Sequence, residues 1–176
     1  MMNFRYSLKT LLIFGALASL AAVAAAYMMR DSREKRSRNV FGSVDTWRLI
    51  ANPESVQVLA ARLNSGNAFE QPQLNFEDEV TLTPICTLSD EESADLSEFM
   101  SNLSRYPANV VKDFTWNPTV ALRLRREGHE ADVFIDFSSE MGAIVSADVP
   151  AKFFVLDNVS ADLKRELSAY GAFQRP

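Results

Sequence analysis

The chain has 176 residues, 47% hydrophobic and 23% charged, with a formal net charge of −5. That length allows one domain with an appendage, and the apolar content excludes a disordered chain. Cys86 is the only cysteine and His129 the only histidine, which excludes an internal disulfide framework, a Cys-based zinc cage, a C-x-x-C redox pair and any site built on two imidazoles.

The charge is an average over two opposed parts. Residues 1–44 hold seven basic side chains (Arg5, Lys9, Arg30, Arg33, Lys35, Arg36, Arg38) against Asp31 and Glu34, a net of +5. Residues 45–176 hold eleven basic and 21 acidic side chains, a net of −10. So acidic a part repels a phosphate backbone, and no nucleic-acid partner is expected.

Residues 1–10 read as an N-terminal tail. Leu11–Met29 (LLIFGALASLAAVAAAYMM) follows with no charged side chain. As a helix it would be about 28 Å long, close to the roughly 30 Å hydrocarbon core of a bilayer. Its backbone polar groups would be satisfied internally, as lipid demands. Two fates are open. Arg5 and Lys9 with Ala24-Ala25-Ala26 suit a cleaved signal peptide, whose product would be a secreted soluble domain. The apolar run continues past that point through Tyr27, Met28 and Met29 into the basic Arg30–Arg38 stretch, which resists translocation and favours a retained single-pass anchor. Five basic residues after the span, against Arg5, Lys9 and the terminal amine before it, tilt the domain towards the cytoplasmic side. The bilayer is thus the first expected partner.

The opening Phe4-Arg5-Tyr6-Ser7-Leu8-Lys9-Thr10-Leu11-Leu12 resembles the F-x-x-S-L-R/K-T-L-L element that heads many membrane-anchored proteins of planctomycete bacteria. Those proteins are otherwise unrelated, so the resemblance implies a shared anchor and no shared activity. Residues 30–44 then read as a basic linker, either a helix extension or a spacer at the headgroup surface.

From residue 45 to 176 the pattern is that of one acidic α+β domain: an antiparallel sheet packed by two or three helices. Trp47, Leu49 and Ile50 suit a short packing helix. Ser55–Leu63 admits a helix capped by Asn52 or a poorly alternating strand. Val80–Cys86 is a short β-branched strand, and Pro84 puts it at an edge or a strand end. Ser89 and Glu92 form a capping box for a helix with Leu96, Phe99, Met100 and Leu103 on one stripe, closed by Pro107.

A hairpin turning at Glu127-Gly128 pairs Leu124 with Ala131, Leu122 with Val133 and Val120 with Ile135 on one face. The same register sets Arg125 opposite Glu130 and Arg123 opposite Asp132 on the other, a structural occupation for these arginines. A turn over Ser138–Gly142 leads to a strand at Ala143–Ala147, and Phe153–Leu156 is strand-like. Last, Ser160 is placed to cap a helix bearing Leu163, Leu167 and Tyr170, ended by Gly171.

Two stretches, Phe114-Thr115-Trp116-Asn117-Pro118-Thr119-Val120-Ala121-Leu122-Arg123 and Ala131-Asp132-Val133-Phe134-Ile135-Asp136-Phe137-Ser138-Ser139, loosely resemble an uncharacterised bacterial family with a C-x-F-x-P-x-x-A-L-R strand followed by a V-D-V-L-L-C-F-x-C strand. The resemblance implies a strand at Ser55–Leu63. The three family cysteines are replaced here by Phe114, Asp136 and Ser139, so thiolate chemistry does not carry over.

The weak candidates for chemistry are His129, Asp136, Ser139 and Glu140. Asp132 and Asp136, on one strand face, would lie roughly 13 Å apart, too far to share an ion. Ser138-Ser139 with His129 and Asp136 matches a hydrolase triad by type only, without the nucleophile elbow. His129 is expected in the hairpin turn, the carboxylates on a solvated charged face and Cys86 as a buried thiol. No catalytic, cofactor or metal residue is assigned. The expected function is a non-enzymatic, membrane-tethered interaction or accessory module that binds a protein partner or itself. The rival is a carboxylate-dependent or lapsed enzyme.

Overall fold

The computed structural model describes residues 8–64, 80–107, 115–147 and 149–173. It divides into two compact units, Met1–Lys35 and Arg36–Pro176. Phe4–Ser7 of the N-terminal element and Phe114 lie outside the described residues.

Helix α1 runs from Leu8 to Phe41, so the helical alternative for residues 30–41 is the one adopted. Within the first unit its large apolar side chains lie open around the helix: Ile13, Phe14, Leu20, Val23 and Tyr27 are each 60% or more exposed. Its most apolar 18-residue stretch has a mean hydropathy of 1.6, and none of that stretch is buried. A helix this long and apolar is able to cross a membrane.

The second unit is α+β. After α1 come α2 (Val44–Ala51), β1 (Ser55–Leu63), β2 (Val80–Thr87), α3 (Asp90–Ser101), β3 (Val120–Arg126), β4 (His129–Asp136), β5 (Met141–Ser146), β6 (Val149–Val155) and α4 (Ser160–Ala169). The strands form one antiparallel sheet in the order β2-β1-β3-β4-β5-β6. Segment 55–63 is therefore a strand. Its β-branched and small residues pair with β2 on one side and β3 on the other, and that tertiary pairing outweighs the local helix option. β2 is an edge strand, as Pro84 requires, and the ladder is irregular at Ile85 beside it.

The β3–β4 hairpin has the register that the sequence implies, with Val120 opposite Ile135, Leu122 opposite Val133 and Leu124 opposite Ala131. Glu127 (φ 51°) and Gly128 (φ 81°) both take positive φ, the two-residue turn whose twist matches the strands. On the reverse face Arg123 grips Asp132 through two hydrogen bonds of 2.8 and 2.7 Å, and Arg125 pairs with Glu130. Donation to Asp132 holds the Arg123 guanidinium above its ordinary pKa.

The main core lies between one sheet face and the helices. Val56, Val58, Leu122, Val133 and Ile135 meet Leu49 and Ile50 of α2, Leu96 and Met100 of α3, and Leu163 and Leu167 of α4. The other face is not simply solvated: Leu59, Ala61, Ala121, Phe134, Met141, Ala143 and Val155 gather there with Trp116 into a second apolar cluster. Trp116 packs edge-on to Phe153 at 5.3 Å.

Val40 and Phe41, read as linker in the sequence, are buried core residues of the second unit. The Phe41, Tyr106 and Phe154 rings pack edge-to-face with centroids 5.2, 5.5 and 5.6 Å apart. The buried Tyr106 hydroxyl donates to the Met100 carbonyl, and its burial pushes the phenol pKa far up.

Element ends shift by a few residues. α3 stops at Ser101 rather than at Pro107, because the Asn102 side chain accepts from Ser104 N–H and opens a 3₁₀ turn over Leu103–Arg105. Its Ser89–Glu92 capping box is formed, and Ser89's donations hold the Glu92 carboxyl below the usual range. Ser160 does not cap α4. Buried Val159 takes that position without a side-chain bond, because the turn through Leu156 winds straight into the helix. Gly171, at φ 78°, follows the helix end as expected.

Gly142 on β5 sits directly under the Phe154 ring, where a Cβ would overlap it. Phe154 is held by Phe41 and Tyr106 and cannot swing aside freely. Gly142→Ala is expected to destabilise the domain by about 1–3 kcal/mol, read as a lower urea midpoint with an unchanged m-value.

Candidate functional site

The four candidate residues fall at opposite ends of β4. His129 is the first residue of that strand, opposite Arg126, and not a turn residue; Glu127 and Gly128 alone make the turn. Asp136 is the last residue. Seven residue steps along the strand separate them by about 23 Å, so imidazole and carboxylate cannot act on one substrate atom.

Asp136 is fully buried rather than solvated. Its Oδ1 accepts from Ser138 N–H (2.8 Å), Ser138 Oγ (2.6 Å) and Ser139 N–H (3.3 Å). Its Oδ2 accepts from Asn117 N–H (2.9 Å) and Ser139 Oγ (2.8 Å). These bonds close the β4–β5 turn and fasten it to the segment that enters β3. Buried charge is tolerated only where donors replace water, and here five do so. Both serine hydroxyls donate to a carboxylate that three backbone N–H groups also occupy, which is a turn-forming arrangement.

Glu140 ends the same turn at φ 56°, and its carbonyl accepts from Leu156 N–H at 2.7 Å. The structure therefore brings Asp136, Ser138 and Ser139 together, with Asn117 as a fourth member. Asn117 carries no sequence signal for this role, because its contribution is a backbone N–H from a non-adjacent segment. Asp136-Phe137-Ser138-Ser139 did carry a signal: Asp followed two and three residues later by Ser is turn chemistry.

His129 lines a cavity of about 780 Å³ between the start of α2 and the β3–β4 hairpin, with Thr46, Arg48, Leu49, Arg126 and Glu130. Asp136, Ser139 and Glu140 do not line it. Its arginines are engaged within the chain: Arg48 with Asp45 at 3.0 Å, Arg126 with Glu127 at 2.9 Å and with the Asn52 carbonyl at 3.1 Å. Cys86 is only half-buried; its thiol faces the Tyr170 carbonyl at 3.5 Å, and burial, then Glu92, push its pKa up, away from the reactive thiolate. Among the described residues no three His, Cys, Asp or Glu side chains converge as a metal site requires.

No family model matches the chain, and neither a curated protein nor a solved structure matches it.

Asp136→Ala leaves three backbone N–H groups without their acceptor and is expected to cost about 3 kcal/mol or more in urea unfolding. His129→Ala, exposed at a strand start, is expected to change stability by no more than about 0.5 kcal/mol in the same assay.

Proposed function

We propose that the chain is a single-pass membrane protein, held by a retained anchor over Leu11–Met29, whose acidic α+β domain is a non-enzymatic interaction or accessory module on the cytoplasmic side. The observation that carries this is the apolar part of α1: its large side chains are open on all sides, as lipid-facing residues are and as those of a soluble core helix are not. The planctomycete-like opening and the basic stretch after Met29 support retention and orientation. The non-enzymatic reading is supported by what the candidate groups do. Asp136 and the two serines are spent on a turn, and His129 lies at the far end of the strand.

Alkaline carbonate extraction of membranes tests the anchor. The full-length chain is expected in the pellet, and protease is expected to reach the domain only in inside-out vesicles. Release into the supernatant would overturn the anchor, and digestion from the opposite face would overturn the orientation.

A further inference from the structure

The stretch of α1 just after Met29 has a chemistry that goes beyond retention and orientation of the anchor. Outside the hydrocarbon core each polar layer of a bilayer is roughly 5–7 Å deep, about four or five residues of helix. In this chain those residues begin at Arg30 and include Arg33, with Lys35 directly after them, all three exposed. Tyr27, 74% exposed, stands one turn earlier, where an amphipathic ring suits the edge of the hydrocarbon.

The cations are spread around the helix and only loosely held. Arg30 pairs with Glu34 at 3.0 Å and Lys35 with Asp31 at 2.7 Å, solvent-facing i,i+4 pairs of the kind that exchange readily for another anion. Arg33 has no carboxylate within ion-pair distance among the described residues. Over residues 30–38 the sequence carries five basic side chains against two acidic ones.

We propose that Arg30, Arg33 and Lys35 form a collar that binds the phosphates of anionic phospholipids and selects them from the surrounding bilayer. This deepens the anchor reading and rests on it. Arginine matches a phosphate with two parallel hydrogen bonds, and a net positive collar concentrates anionic lipid around itself. The domain, net −10 over residues 45–176, supplies no such attraction, so selection is local to the collar.

The test uses the full chain in nanodiscs of equal phosphatidylcholine and phosphatidylglycerol, with lipids retained on the protein counted by native mass spectrometry. Retained phosphatidylglycerol is expected to exceed phosphatidylcholine by about fivefold or more at low salt, the effect of one uncompensated basic residue at an anionic surface. The excess is expected to shrink as salt shortens the Debye length. R30Q/R33Q/K35Q leaves Arg36 and Arg38 against Asp31 and Glu34, a net of zero over residues 30–38, with Arg5 and Lys9 unchanged before the span, and is expected to lose most of the excess. R30K/R33K keeps the charge and is expected to keep the excess. Equal retention by the wild-type chain, or an undiminished excess in the glutamine variant, overturns the collar alone. Recovery of the chain outside the discs overturns the anchor and the collar with it.

Discussion

Three aromatic rings from distant parts of the chain hold the second unit together. Phe41 closes α1, Tyr106 follows the 3₁₀ turn after α3, and Phe154 lies on β6; each packs edge-to-face on the other two. Much else follows from this cluster. β5 must offer Gly142 beneath Phe154, the Tyr106 hydroxyl must find the Met100 carbonyl, and Arg36 reaches the Tyr106 carbonyl at 3.0 Å. Trp47 adds a second tie, its indole N–H donating to the Ser101 carbonyl at the end of α3. The last turn of α1 is thus a core element in its own right, which charge patterning alone would file as a tether.

How much of this was legible depends on how local the cause was. The β3–β4 hairpin could be read in register because two independent codes, apolar alternation and opposite charge, agree on it, and a one-residue slip breaks both. The α3 cap was equally legible, since Ser89 and Glu92 need only each other. Ser55–Leu63 was ambiguous on its own residues; its strand state is set by β2 and β3 flanking it. The second apolar face has no clear sequence signal because Ala121 and Phe134 share it with the charged Arg123 and Asp132.

The candidate site illustrates the same limit. Type and spacing put a histidine, a carboxylate and serines within eleven residues. Extension of β4 then carries His129 to one end of the strand and Asp136 to the other. A carboxylate that composition assigns to solvent is instead buried, and two of its five donors are the hydroxyls of the very serines that could have been nucleophiles. The turn is built on hydrogen bonds, with Asp136 and Ser139 in direct contact.

The opposed charges of the two parts have a physical sense in this account. A basic stretch beside an apolar helix is drawn to an anionic surface, and an acidic domain is repelled from it; under the proposed anchor, attachment would fall to the basic stretch and presentation to the acidic domain. The central claim is that Leu11–Met29 stays with the domain. Its most direct test is the intact mass of the chain isolated from washed membranes. Retention predicts a mass that includes residues 1–26, near the 19.7 kDa of the whole sequence. A species beginning near Tyr27 and found in the soluble fraction would contradict it.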